Sequence, residues 1–259
     1  MNIDLTGKRA IVCGASKGIG RATAVELASL GAQVTLIARR RDALEAVLHS
    51  LPGSGHHLLT ADFADPEKLR GAVEPHIAQH GPFHILVNNT GGPPAGPIAA
   101  ATLTQFTAAF SQHLLCNHVM AMAVLPGMKA EGYGRIINVI STSVKAPIPG
   151  IGVSNTVRAA VANWAKTLSL EVAAFGVTVN NVLPGATETD RLAEIFEARA
   201  DKQSKPLDEV IAHEKSAVPA GRFAAPEELA AAIAFLASPA AAYITGINLP
   251  VDGGRTPSL

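Results

Sequence analysis

Short apolar runs alternate with longer amphipathic segments along almost the whole chain. The runs Arg9 to Cys13, Gln33 to Ala38, His57 to Ala61, Phe83 to Val87, Arg135 to Ile140, Val177 to Leu183 and Gly246 to Val251 predict seven strands. Helical spacing predicts helices over Gly18 to Leu30, Arg41 to His49, Pro66 to Gln79, Leu103 to Ala130, Val153 to Phe175 and Glu227 to Leu236. Another helical stretch, Asp190 to Ser216, is interrupted at Pro206. Gly31 stands where a helix C-terminus needs a cap, and Pro66 at a first-turn position. Strands this apolar, separated by helices, belong in a mostly parallel sheet covered on both faces, so the pattern predicts a doubly wound α/β fold. No repeat, linker or low-complexity tract divides residues 1–259, and one domain is expected.

Composition narrows the function. A hydrophobic fraction of 48% and a charged fraction of 16% are those of a globular protein. The formal net charge is +0, which argues against nucleic acid or an anionic membrane as a general partner. No apolar stretch is expected to reach the roughly 18 residues needed to span a bilayer, and the N-terminus lacks the pattern of a signal peptide. Cytoplasm is the expected compartment. Cys13 and Cys116, one in a strand and one in a helical pattern, are expected as buried free thiols.

The first chemically informative segment is Cys13-Gly14-Ala15-Ser16-Lys17-Gly18-Ile19-Gly20, between the first strand and the first helix. Its glycines let the backbone approach a pyrophosphate, and the helix N-terminus offers free N–H groups to that charge. A strand before and a helix after are the context such a turn requires, and the fold is expected to be Rossmann-type.

The spacing Gly-x-x-x-Gly-x-Gly resembles the short-chain dehydrogenase/reductase family. Asn88-Asn89-Thr90-Gly91 resembles the family's Asn-Asn-Ala-Gly segment, with Thr in place of Ala. Pro184-Gly185-Ala186-Thr187-Glu188-Thr189 resembles its Pro-Gly-x-x-x-Thr. Thr245-Gly246 and Val251-Asp252-Gly253-Gly254 are similar to the ending of its bacterial 3-oxoacyl-carrier-protein reductases. The resemblance spans essentially the whole chain. It implies a nicotinamide cofactor held by Gly14, Ser16, Lys17, Gly18, Ile19 and Gly20, adenine contacts from Asp62 and Phe63, and further contacts from Asn88, Gly91, Pro184, Gly185 and Thr189. Ala38 stands where NAD binders often carry an acid for the ribose 2′-hydroxyl, and Arg39, Arg40 and Arg41 follow it. Arg39 with Lys17 is suited to clamp a 2′-phosphate, so NADP is expected over NAD.

The family's catalytic pattern is altered. Its members use a Tyr as proton donor, a Lys four residues later that lowers the phenol's pKa, a Ser and an Asn. Ser141 matches the Ser, but thirteen residues on stands Ser154, and four further on Arg158. The Asn position, fifteen before Met128, holds His113. An aliphatic hydroxyl is a poor acid and an arginine a poor proton shuttle, whereas Arg158 can still bind ribose hydroxyls. His113 is a candidate replacement acid or a hydrogen-bonded relay, with Asn117 one turn on and His118 off that face. Adjacent Cys116, Asn117 and His118 point different ways, so no metal is expected. Neither Tyr133 nor Tyr243 is near the expected active-site helix, and Lys145 reads as a solvated loop residue.

These features imply an NADP-dependent oxidoreductase acting on a carbonyl/alcohol pair of a small molecule, a 3-oxoacyl thioester among the options, with an atypical proton donor. The alternatives are a non-catalytic NADP-binding regulatory or structural protein and a non-redox lyase or isomerase. The Pro-rich loop Gly91 to Pro97 is either a rigid pocket wall or a tight turn. Residues 190–222 are expected to form a substrate-covering lobe. The resemblance further implies a homotetramer, with a dimer as the next choice.

Overall fold

A computed structural model describes residues 1–258. The strands are β1 (Arg9–Cys13), β2 (Gln33–Ala38), β3 (His57–Thr60), β4 (Ile85–Asn88), β5 (Gly134–Val139), β6 (Val177–Pro184) and β7 (Asn248–Val251). They form one sheet in the order β3-β2-β1-β4-β5-β6-β7, and all six pairings are parallel. The order reverses between β1 and β4, which opens a crevice at the C-terminal ends of those strands.

The helices are α1 (Gly18–Ser29), α2 (Arg41–Ser50), α3 (Pro66–His80), α4 (Leu103–Phe110), α5 (Cys116–Glu131), α6 (Gly152–Val172), α7 (Asp190–Gln203), α8 (Leu207–Ser216) and α9 (Pro226–Ala237). Alternate residues of β1 show how the sheet serves two layers. Ala10 and Val12 pack with Leu27 of α1, Leu44 of α2 and Ile233 of α9, whereas Ile11 and Cys13 pack with Val73 of α3, Met120 of α5 and Leu168 of α6. Both cysteines are free and buried, as expected.

Several boundaries differ from the sequence pattern. Pairing in β4 starts at Ile85 rather than Phe83, opposite Ala10 of β1. β7 starts at Asn248 because Gly246 takes a φ of +71°, outside the strand region. The stretch read as one helix from Leu103 contains a π-turn at Ser111–Leu115 between α4 and α5. The long C-terminal helix of the sheet's second half stops at Val172, and a 3₁₀ turn at Ala173–Phe175 closes it.

One expectation is corrected. The continuous helical stretch Leu103–Glu131, 29 residues with a mean hydropathy of 1.2 over its most apolar window, is long and apolar enough to cross a bilayer. Its polar residues are spread out, so a search for an unbroken run passes over it. Half of that window is buried inside the fold, where Met120, Val124 and Met128 belong to the core.

Candidate cofactor and active site

β1 ends at Cys13 and the chain turns through Gly14, with φ +62°. A Cβ on Gly14 would lie 2.5 Å from Asn89 O, and one on Gly20 would lie 2.2 Å from Gly14 O. Both positions are therefore closed to any side chain. Ala15 N–H donates to Ile37 O at 3.2 Å and ties the turn to β2. Lys17 caps α1 without a side-chain hydrogen bond, and no acid occupies the first turn. The helix N-terminus is thus left electropositive, with backbone donors for a phosphate. Ser16 and Ile19 are half-buried in the same turn. These residues fit a dinucleotide pyrophosphate.

Ala38 ends β2 buried, and Arg39 and Arg40 follow it exposed. Lys17 departs from the expected clamp with Arg39: its ammonium pairs with Asp190 Oδ2 of α7 at 3.1 Å. Asp62 is exposed, its Oδ1 accepting from Ala64 N–H at 3.1 Å, while Phe63 is buried. The Phe63 carbonyl already accepts the Cys116 thiol at 3.1 Å. On the other side of the crevice, a Cβ on Gly185 would lie 2.7 Å from Asp252 Cα. Thr189 caps α7, and its methyl is the atom nearest a Cβ built on Gly18, at 3.1 Å. The glycine turn and the start of α7 are thereby neighbours.

A row of four asparagines crosses the sheet beside this crevice. Asn88 Nδ2 donates to Asn138 Oδ1 at 2.9 Å, Asn138 Nδ2 to Asn181 Oδ1 at 2.9 Å, and Asn181 Nδ2 to Asn248 Oδ1 at 2.8 Å. Each pair sits in register on adjacent strands. The row ends at Asn88 Oδ1, which is buried and has no protein partner. Asn155 Oδ1, Ser143 Oγ and His113 Nε2 are the same, so four of the six such atoms among the described residues lie on segments around this crevice. Buried polar atoms without protein partners are uncommon, and their concentration here makes this crevice the candidate ligand site.

The four positions expected from the sequence to be catalytic lie on three elements: the turn after β5, the start of α6 and the π-turn. Ser141 caps a 3₁₀ turn at Thr142–Val144, its Oγ accepting from Ser143 N–H at 3.1 Å. Ser154 is half-buried in the first turn of α6. Arg158, one turn further, is buried and donates from Nη1 to Val139 O at 3.0 Å. No carboxylate pairs with it among the described residues, and burial alone pushes its pKa down to about 10. It is therefore a protonated cation at neutral pH, held inside the protein without a counter-charge.

His113 sits in the π-turn and is buried, with Nδ1 sharing a hydrogen bond of 2.8 Å with Thr90 Oγ1. Burial, then the Arg158 charge, hold its pKa down at about 2, so the imidazole is neutral. Thr90 is half-buried, and its hydroxyl is what the Thr-for-Ala difference adds to the Asn-Asn-Ala-Gly segment. Gly91 is exposed, and its carbonyl accepts from Gln112 Nε2 at 3.2 Å. Asn117 is buried on α5, while His118 is exposed and accepts from Trp164 Nε1 at 3.4 Å.

Sequence reasoning passed over Thr90, Ser143 and Asn155. The Thr90 signal was present as a departure from the family's segment. The Pro-rich loop is tied to the start of α6: Gly96 N–H donates to Gly150 O at 2.7 Å and Gly152 N–H to Gly96 O at 3.0 Å. Lys145 is half-buried beside the 3₁₀ turn rather than solvated. The Tyr133 hydroxyl donates to Ala237 O, and Tyr243 is fully exposed, so neither serves this site. Among the described residues, no group of three His, Cys, Asp or Glu is arranged to hold a metal.

A parallel doubly wound sheet with a glycine turn at its switch point is the architecture of a dinucleotide-binding protein. A family model described as Enoyl-(Acyl carrier protein) reductase matches residues 14–256, and the chain belongs to the short-chain dehydrogenase/reductase family. It is 36% identical over 254 residues to a 3-oxoacyl-[acyl-carrier-protein] reductase of Vibrio cholerae, covering 97% of this chain and 98% of that protein. It is 30% identical to the NADPH-dependent reductase BacG of Bacillus subtilis, covering 98% and 100%. The crystal structure of L-sorbose reductase from Gluconobacter frateurii, complexed with NADPH and L-sorbose, superposes with a TM-score of 0.92 at 31% identity, covering 100% of both chains.

Proposed function

We propose that the protein is an NADPH-dependent reductase of a small-molecule carbonyl, with a 3-oxoacyl thioester as the first substrate class to test and a proton donor other than tyrosine. The observation that carries this reading is Arg158, a buried guanidinium with no carboxylate partner. Such a group stabilises negative charge that develops on a reacting oxygen. Gly14, Gly18, Gly20 and the N-terminus of α1 would hold the pyrophosphate, and Arg39 and Lys17 the 2′-phosphate. NADPH supplies the hydride.

Ser141 and Ser154 would orient the carbonyl by hydrogen bonds. The Thr90 hydroxyl relays a proton to the developing alkoxide in concert with its replacement from His113 Nδ1–H, so the imidazole rather than the aliphatic hydroxyl is the net donor, and the ring then takes up one proton at Nε2 to restore its neutral form. A neutral imidazole can serve this role because it takes a proton at one nitrogen as it gives one up at the other. The relatives named as NADPH-dependent reductases and as a 3-oxoacyl reductase support the cofactor and the substrate class. Exposed Leu115 on the π-turn and Leu170 on α6 support self-association as a tetramer, which light scattering would check.

The test is single-turnover oxidation of bound NADPH by short 3-oxoacyl thioesters, ketones and aldehydes. Turnover is expected in the wild type and a loss of about 10²-fold or more in Arg158→Met. Tight NADPH binding with no oxidation by any of these substrates would overturn the reading.

A further inference from the structure

At the opposite ends of the strands from the glycine turn, the sheet carries a second recess. Arg9, Gln33 and His57 are the first residues of β1, β2 and β3. With Gln79 and His80 at the end of α3 and an apolar wall from Phe83, they line a cavity of about 240 Å³. The polar lining comprises a guanidinium, two carboxamides, two imidazoles and the Thr35 hydroxyl, and no carboxylate contributes to it. The Arg9 side chain makes one hydrogen bond, from Nη1 to Pro82 O at 3.3 Å, and no ion pair among the described residues.

Behind the lining, the His57 and His80 rings lie 4.0 Å apart and those of His76 and His80 4.3 Å apart. His76 Nε2 is committed to Thr35 Oγ1 at 3.1 Å, and the three rings are not arranged to share a metal. His57 and His80 remain to face the cavity.

We propose that this recess binds a small oxyanion, held by Arg9, Gln33, His57 and His80. A lining rich in donors and empty of acids complements a phosphate or carboxylate group. The volume is below the roughly 300–1,000 Å³ of clefts for drug-sized ligands, which restricts the occupant to an inorganic ion or a small metabolite. Burial, with His80 and His56 beside it, holds the His57 pKa below its ordinary value. Burial, with His80 and His57, holds His76 at about 4. An anion beside His57 and Arg9 favours the His57 imidazolium, so binding takes up a proton there and tightens as the solution becomes acidic.

The test uses the full chain saturated with NADPH, so that the cofactor's own phosphate sites are filled. Inorganic phosphate is titrated against chloride at equal ionic strength while the histidine ring resonances are followed by NMR. The His57 and His80 signals are expected to move, the melting temperature to rise more near pH 6 than near pH 8, and phosphate affinity to fall about tenfold or more in Arg9→Met. A parallel succinate titration separates phosphate from carboxylate preference. Identical effects from chloride, movement confined to other histidines, or unchanged affinity in Arg9→Met would overturn the site. Should Arg9→Met fail to fold, the wild-type ring resonances decide alone.

Discussion

Thr90 Oγ1 and His113 Nδ1 lie 2.8 Å apart, one in the loop that follows β4 and the other in the π-turn between α4 and α5. The pair joins a half-buried hydroxyl to a buried, neutral imidazole. If they act as one relay, Thr90→Ala and His113→Ala each lower kcat by about 10²-fold, the usual lower range for general acid catalysis. The double variant should be no slower than either single one, and Thr90→Ser should retain most of the rate. Steady-state kinetics on the four proteins measure this; additive losses would show two independent roles.

The ion pair between Lys17 and Asp190 of α7 is expected to couple cofactor choice to that helix. Their 3.1 Å pair is exposed on both sides, 60% and 72%, and is worth no more than about 1 kcal/mol. Asp190→Asn frees Lys17 for the 2′-phosphate and should tighten NADPH binding by up to about fivefold, with NADH unchanged. Arg39→Ala and Lys17→Ala should narrow the preference for NADPH over NADH. Fluorescence titration of both nucleotides checks the set.

The family's own chemistry should be recoverable. Ser154→Tyr with Arg158→Lys places a phenol and a titratable ammonium one helical turn apart on α6. Carbonyl reduction by the double variant should acquire a pH profile governed by a lowered phenol pKa, which the parent lacks. Ser154→Tyr alone should not show it, because Arg158 remains a poor proton shuttle.

Acid should destabilise the fold before its carboxylates titrate. His76 is held at about 4 and His113 at about 2, both below the ordinary 6.5. Between those values the unfolded chain binds protons that the folded one refuses. Stability present above about pH 6.5 is therefore lost as pH falls. Urea denaturation at pH 7 and pH 5 should show a lower midpoint at pH 5. His76→Gln, which cannot take up a proton, should reduce the difference.

Gly152 is required by space rather than by backbone angle. A Cβ there would lie 2.4 Å from Ile98 Cβ. Gly152→Ala should cost about 1–3 kcal/mol in chemical denaturation. If the Pro-rich loop joined to this segment borders the substrate, KM should rise as well.

Local patterns made much of this protein legible. The seven strands follow from short apolar runs, because residues buried on both faces of a parallel sheet have no polar alternation to disguise them. The glycine turn reads from spacing, since steric need at Gly14 and Gly20 leaves no substitute. The missing acid at Ala38 and the replacements at Ser154 and Arg158 need only counting from fixed landmarks.

Only the tertiary structure decided which distant groups meet. The asparagine row depends on strand register, which places Asn88, Asn138, Asn181 and Asn248 side by side although they lie far apart in the chain. Lys17 reaches Asp190 because Thr189 packs against Gly18. His113 meets Thr90 from a π-turn, where an α-helical count no longer describes the face. Periodicity reports how a segment meets the core, whereas hydrogen bonds between segments follow from the sheet order and helix placement that the whole chain adopts together.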